Sequence, residues 1–537
     1  MNNELKVTVW AAVSYGSTGQ SLGWKGTSRN TKHGSVGGKT MLRSASLVTI
    51  VVFALLILPA RSVAAEGPPI TGIPVPEMQS FDRIVTDLMA KWEVPGGAVA
   101  VAKDGKLVLA HGYGWADIDL KQLAQPDSLF RICSISKPVT AVTILKLVEN
   151  GQLDIDAKAF KIIDQLKPLE GASVDPRIHN VTVRDLLQHS GGWDPSRSYD
   201  PMFALAHRAA DAAGTPRPAG PEAIICYMLG QPLDFSPGAG YAYSNFGYCV
   251  LGRIIERITC QSYEQYVSTQ ILAPMGITGM RIGRTFLKDR AEKEVLYYDY
   301  PGANLVPSVF PGAAWLVPAP YGGWHQEALD SHGGWVASAI DLVQFASSID
   351  GLKSPFFLKP ETVRLMLSRP TLRVWASSSH YYALGWLVGP VGSSGMNWWH
   401  DGSLPGSRTI LVRTYHGLAW AALFNTRPKE DSRFINEVDQ GLWKAASEVA
   451  TWPKHDLFPT MVTTTTQTEV KTVSSSLSSL STITSPTVSE QAVPAPMGLI
   501  LLTAGLAFIS IVGIIYKLKR RAVGSRPEQL NIMCHLW

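Results

Sequence analysis

Three short runs carry side chains whose types and spacing suit acyl transfer. The first is Phe130-Arg131-Ile132-Cys133-Ser134-Ile135-Ser136-Lys137-Pro138. Proline is tolerated in a first helical turn, where its missing N–H would lack a partner anyway, so a helix is expected to begin close to Ser134. Ser134 and Lys137 then stand at i and i+3, on one face and one turn apart. A hydroxyl at a helix N-terminus lies where backbone N–H groups can hold an oxyanion, and a nearby amine can take its proton if burial lowers its pKa. Taken alone the pattern is weak, because an N-capping serine and a solvated lysine give the same letters. The second run is Tyr241-Ala242-Tyr243-Ser244-Asn245-Phe246-Gly247. In an extended segment Tyr243 and Asn245 point the same way, offering a phenol that can shuttle a proton and an amide that can orient substrate or lysine. A buried structural tyrosine fits the letters equally well. The third is Trp398-Trp399-His400-Asp401-Gly402-Ser403-Leu404-Pro405-Gly406, a strand running into a Gly-Pro turn. Gly402 lets a substrate backbone lie alongside, the N–H of Ser403 is a candidate second oxyanion donor, and His400 is a candidate donor or general acid.

Those residues must be positioned by the body of the chain, about residues 79–451. Gly97 to Lys103, a turn at Asp104-Gly105 and Lys106 to Gly112 alternate as a β-hairpin. Pro138 to Asn150 has the 3.6-residue period of a helix. Thr182 is placed to cap a helix over Val183 to Gln188, a reading preferred to glycosylation of the sequon Asn180-Val181-Thr182. Late strands are expected at Ala383 to Val388, Asn397 to His400, Ile410 to Tyr415 and Leu418 to Phe424, with a helix near Arg433 to Ala450. Strands at both ends with helices between predict an α+β fold. Its antiparallel sheet is built from the two ends of the body and flanked by helices, with a mostly helical insertion.

With 537 residues the chain has room for one large domain or two plus appendages. Its net charge of +5 sits at the ends, with +5 in residues 1–43 and +4 in residues 517–537, so the body is near −4. That argues against the basic face nucleic acid requires. Met41, Arg43, the apolar run Leu47 to Leu58 and Val63-Ala64-Ala65 read as a signal peptide over 41–65, which makes residues 1–40 an extension ahead of the expected start. Met497 to Tyr516 is an uncharged apolar stretch long enough to span a bilayer. The basic tail 517–537 after it is expected to be cytoplasmic and the body extracytoplasmic. Residues 459–496, rich in Ser and Thr, read as a flexible stalk. Of the five cysteines, Cys133 reads as a small core residue, and at most one bridge is expected among the four outside the tail.

Ser-x-x-Lys, then Tyr-x-Asn, then a strand with a residue able to carry positive charge before x-Gly resembles the penicillin-recognising serine hydrolases. Spacings of 109 residues from Ser134 to Tyr243 and 157 from Tyr243 to His400 are similar to the class C β-lactamase-related branch, which includes esterases and D-amino-acid peptidases. The resemblance extends to Val94-Pro95-Gly96-Gly97, Leu147 to Gly151, Thr182 to Gly192, Phe235-Ser236-Pro237-Gly238, Pro274-Met275-Gly276 and Gly333-Gly334 followed by Asp341, spanning about residues 79–450. It implies a β-lactamase/transpeptidase-like fold, with Ser134 as acylated nucleophile and Lys137 and Tyr243 sharing proton transfers. Asn245 would position Lys137 and the substrate, and the N–H groups of Ser134 and Ser403 would form the oxyanion hole. The substrate would be a small molecule or peptide, and no metal or organic cofactor is implied. One departure matters: many β-lactamases of the branch have lysine where this chain has His400, and histidine is common in its esterases and peptidases. A different class of reading keeps the fold but not turnover, the pocket serving to recognise a peptide or cell-surface ligand. Other motifs fail: there is no Gly-x-Ser-x-Gly or His-Glu-x-x-His, and Gly34 to Thr40 lacks the first glycine and the preceding strand of a phosphate loop. Asp194 to Ala223 and Tyr297 to Trp324 are the expected wall-forming insertions.

Overall fold

Alternation in the two ends of the body builds one antiparallel sheet. The computed structural model describes residues 67–351, 356–393 and 395–459. The expected signal peptide, spanning segment, basic tail, residues 1–40 and all of the stalk but Pro459 lie outside the described residues. The amino-terminal part gives β1 (Ile70–Gly72), helix α1 (Gln79–Trp92), β2 (Gly96–Lys103), β3 (Lys106–Asp117) and β4 (Gln122–Leu123). A mainly helical stretch follows, including α2 (Ser136–Glu149), α3 (Val183–Leu187), α4 (Asn245–Thr259) and α5 (Ala339–Ser348). The chain then returns through β5 (Tyr381–Tyr382), β6 (Leu387–Val391), β7 (Gly395–Leu404), β8 (Ser407–Arg413) and β9 (Leu418–Phe424), and closes with α6 (Asp431–Glu448). The order is β1-β3-β2-β9-β8-β7-β6-β5, with β4 beside β3. The two ends meet where β2 pairs with β9, from Gly97 opposite Phe424 to Lys103 opposite Leu418.

Both faces of the sheet are covered. Ala98, Ala100, Ala102, Ala419 and Ala421 face the helical region, and their small side chains let α5 lie close against β2 and β9. Val99, Val101, Ile410, Val412, Trp420 and Phe424 face the other way, toward α1 and α6. Those two helices pack on each other and bury stripes at helical spacing, Phe81, Ile84, Val85 and Met89 on one and Phe434, Ile435, Val438, Leu442 and Ala445 on the other.

Local chemistry explains the agreements and the differences. Thr182 caps α3 and Asp185 completes a reciprocal capping box, and Ser338 with Asp341 does the same for α5. The strand expected over Ala383 to Val388 is two strands, β5 and β6, broken around Gly385. That residue has φ +86°, and a Cβ on it would stand 2.3 Å from Ala141 of α2. The strand expected to end at His400 runs on to Leu404. The helix expected from Ser134 begins instead as a 3₁₀ turn over Cys133–Ile135 and becomes α-helical at Ser136. Cys133, Cys226, Cys249 and Cys260 are all free thiols. Among the described residues no helix is long and apolar enough to cross a membrane.

Trp420 is fully buried and meets Trp443 edge-on at 4.8 Å, whereas Trp315 is 76% exposed. Trp420→Ala is expected to cost about 3–5 kcal/mol in denaturant unfolding of the full-length protein. Trp315→Ala is expected to cost under about 0.5 kcal/mol; equal costs would contradict this assignment of the core.

Candidate active site

The turn that presents Ser134 is made by Cys133, a buried non-glycine residue at φ 51°. That left-handed conformation costs an L-residue energy and persists only where the surroundings enforce it. Here they do. Arg131, also buried, donates to the carbonyls of Pro320 and Arg284 at 2.7 Å each, and its guanidinium lies 4.5 Å over the Tyr297 ring. Thr409 Oγ1 donates to the Ile132 carbonyl at 3.1 Å, which ties β8 to the same turn.

Behind Ser134 the Lys137 amine is fully buried, with Nζ 3.1 Å from Ser134 Oγ. It donates to Asn245 Oδ1 at 2.7 Å and to the His332 carbonyl at 2.9 Å. The Tyr243 and Tyr248 rings stand 4.7 and 5.7 Å from it. Burial, which disfavours the ammonium, brings its pKa down to about 7, against the raising effect chiefly of Asp200 and then of Asp401. Half of the lysine is then neutral near pH 7 and has a lone pair for the Ser134 proton. Burial holds the Tyr243 phenol well above the usual range, against a lowering effect of the nearby Ser134 hydroxyl, so it stays protonated. Asn245 opens α4, capped by Ser244, and its Nδ2 donates to Asp200 Oδ2 at 2.6 Å.

β7 supplies the other wall. Gly402 is required by close approach: a Cβ there would stand 2.3 Å from the Ile132 carbonyl oxygen, 2.4 Å from Thr409 Oγ1 and 2.9 Å from Cys133 Cβ. The Ser403 side chain turns to the opposite face of the strand and donates to Asp431 Oδ2 at 2.7 Å. His400 is buried. Its Nδ1–H donates to the Asp401 carbonyl at 2.7 Å, and its Nε2 accepts from the Tyr382 hydroxyl at 3.1 Å. Desolvation lowers its pKa to about 4, so it is a neutral imidazole at physiological pH and not the cation its position suggested. Its two nitrogens are both engaged within the protein. Asp401 beside it is paired with Arg408 Nη1 at 2.7 Å.

The structure therefore brings Ser134, Lys137, Tyr243 and Asn245 into contact and sets Gly402 against the Ser134 turn. Three contributors were not legible: the His332 carbonyl, the Tyr382 hydroxyl and Asp200. Asp200 lies inside Asp194 to Ala223, one of the stretches expected to wall the site, but nothing in the surrounding letters marks it. The two expected wall insertions also meet, His207 Nε2 donating to the Val309 carbonyl at 3.1 Å.

A buried amine against a helix-start hydroxyl, beneath the sheet strand β7, defines an acyl-transfer class of site. The family model Beta-lactamase matches residues 81–440, and the chain belongs to the Beta-lactamase family. It is similar to Protein flp of Staphylococcus aureus (strain N315), 28% identical over 244 residues, 45% of this chain and 45% of flp. The chain thus matches less than half the length of that relative. Penicillin-binding protein 4* of Bacillus subtilis (strain 168) is 24% identical over 369 residues, 67% of this chain and 73% of that protein. The D-amino acid amidase from Ochrobactrum anthropi SV3, complexed with L-phenylalanine amide, superposes with a TM-score of 0.52 at 22% identity, covering 69% of this chain and 99% of that one. That likeness shows the expected β-lactamase/transpeptidase-like α+β fold.

Two outcomes follow from the β7 geometry. Gly402→Ala is expected to push β7 off the Ser134 turn and slow acylation of Ser134 by roughly tenfold or more, read as adduct formation by intact mass. In ¹⁵N spectra His400 is expected to remain the Nδ1–H tautomer from pH 8 down to pH 5; a doubly protonated ring at pH 6 would contradict the buried neutral geometry.

Proposed function

We propose that the protein is a serine hydrolase that cleaves a small ester or amide, including peptides, through an acyl-enzyme on Ser134. The observation that carries the proposal is the Lys137 amine, fully buried and 3.1 Å from the Ser134 hydroxyl, with a pKa near 7. In the proposed first step, neutral Lys137 takes the Ser134 proton as Oγ attacks the carbonyl carbon. The carbonyl oxygen becomes an oxyanion held by the N–H groups of Ser134 and Ser403. Tyr243, protonated at neutral pH, gives its proton to the departing alkoxide or amine and is reprotonated from the Lys137 ammonium. Water then attacks the acyl-enzyme by the reverse sequence. Asn245 holds Lys137 and faces the acyl donor, while His400 and Gly402 shape the β7 wall on which the substrate lies.

The neutral state of His400 favours esters and amides over β-lactams, because a penicillin carboxylate docking on β7 would find no cation there. The relatives' names point the same way only in part: one is a penicillin-binding protein and one an amidase. The uncharged segment 497–516, the stalk 459–496 and the signal-like 41–65 support an anchored, extracytoplasmic hydrolase with a cytoplasmic tail. Retention of the full-length protein in the membrane pellet after alkaline carbonate extraction would support that placement, and its release would count against it.

The direct test of the chemistry incubates full-length protein with a fluorophosphonate and separately with a penicillin, and compares wild type with Ser134→Ala by mass spectrometry. The fluorophosphonate adduct is expected on Ser134 and absent from the alanine variant, with the penicillin adduct slower. Because the base must be neutral, the labelling rate should climb as pH rises through about 7. No adduct on folded wild-type protein would favour a pocket that recognises a peptide or cell-surface ligand without turnover.

A further inference from the structure

Asp200 is joined to the nucleophile by an unbroken chain of contacts. Its Oδ2 accepts from Asn245 Nδ2 at 2.6 Å, Asn245 Oδ1 accepts from Lys137 Nζ at 2.7 Å, and Lys137 Nζ is 3.1 Å from Ser134 Oγ. Asp200 is itself fixed, because its Oδ1 accepts from the Met202 N–H at 3.0 Å. Among the described residues it has no ion-pair partner.

A side-chain amide has two ends of nearly the same shape and opposite polarity, and a carboxylate can only accept. Asp200 therefore decides which end of Asn245 faces Lys137. With Oδ1 toward the amine, two N–H bonds of Lys137 are spent on Asn245 and on the His332 carbonyl, and the remaining direction, the lone pair of the neutral amine, points to Ser134. The flipped amide would instead donate Nδ2–H into that lone pair and remove the base. We propose that Asp200 is a positioning residue of the acyl-transfer site, locking the Asn245 amide so that the lone pair of Lys137 is kept for the Ser134 proton. The inference rests on the acyl-enzyme reading of Ser134 and Lys137 and extends it to a residue outside the three sequence motifs.

The groups facing Lys137 leave Asp200 as its distinctive charge: burial raises the Asp200 pKa, while the bonds from Asn245 and Met202 and the charge of Lys137 favour its carboxylate. Cys133 on its own turn is held protonated by burial, and His189, His332 and His400 are kept neutral by burial. Tyr243 and Tyr248 remain phenols. Asp401, paired with Arg408, raises the Lys137 pKa less than Asp200 does. Removing Asp200 takes away a negative charge that favours the ammonium, so the base should become neutral at lower pH.

The test labels full-length wild type, Asp200→Asn and Asp200→Ala with a fluorophosphonate between pH 5 and pH 10, timing the Ser134 adduct by intact mass, with thermal unfolding as the check on folding. Both variants are expected to reach half-maximal rate about one pH unit below wild type. Asparagine still offers an oxygen to Asn245 Nδ2, so the high-pH rate should fall less in Asp200→Asn than in Asp200→Ala, where a loss of about 10- to 100-fold is expected. An unmoved half-rise in both folded variants overturns the proposal, whether or not the plateau falls, because a merely structural role would lower the plateau alone. Absence of any adduct on wild type is a separate failure, and it removes the acyl-enzyme reading together with the inference built on it.

Discussion

The rest of the site depends on the burial of one amine. Lys137 has no solvent-accessible surface, and its direct partners are an amide oxygen, a carbonyl and a hydroxyl, none of them charged. Bringing a lysine from 10.5 to about 7 corresponds to roughly 5 kcal/mol set against its charged form. A typical hydrogen bond returns only about 1 kcal/mol, so the two acceptors and the more distant carboxylates do not restore the ammonium. Desolvation wins, and the amine becomes a base at neutral pH. The same apolar enclosure acts on its neighbours in the opposite sense, holding the Tyr243 phenol protonated. One environment thus separates a base from an acid a few ångströms apart.

That enclosure is held by backbone contacts as much as by side chains. The Ser134 turn has Cys133 at φ 51°, a conformation held through the bonds of Arg131 and Thr409. β7 reaches the turn only because position 402 has no side chain, and α2, which carries Lys137, packs against Gly385, where a Cβ would collide with Ala141. The sheet itself joins the first and last parts of the body through β2 and β9. A change in any of these contacts would alter the distance between Ser134 and Lys137 without touching either residue.

The legible parts of the fold were those with a strong local period. The hairpin Gly97 to Gly112, the strand Leu418 to Phe424 and the helices near 138–150 and 433–450 alternate or repeat over enough residues to be read from letters alone. The strand expected over Ala383 to Val388 was not, because Gly385 interrupts it for a tertiary reason, the approach of α2. The three motif runs pointed to Ser134, Lys137, Tyr243 and Asn245, which the structure brings together, since Ser134, Lys137 and Asn245 lie at helix starts and Tyr243 just before one. Asp200 was invisible because its partner is 45 residues away and its own surroundings carry no period. The charge state of His400 was invisible too: it is set chiefly by burial, which depends on tertiary packing that no local period shows.

The electrostatics of β7 then bear on which acyl donors the site can hold. In the resemblance that the motifs suggest, position 400 is where many β-lactamases carry a lysine, whose fixed charge would suit a substrate carboxylate. Here the imidazole is neutral because burial penalises the cation and outweighs the Asp401 carboxylate and carbonyl, which favour it. Arg408, on the neighbouring strand, is committed to Asp401, to the Gly402 carbonyl and to Asp431. Asp200 adds a carboxylate with no ion pair among the described residues. A negatively charged donor entering this site would lose its hydration without gaining a counter-ion, a penalty of several kcal/mol for a buried carboxylate. A neutral ester or amide loses far less, because its carbonyl needs only the backbone donors proposed at Ser134 and Ser403.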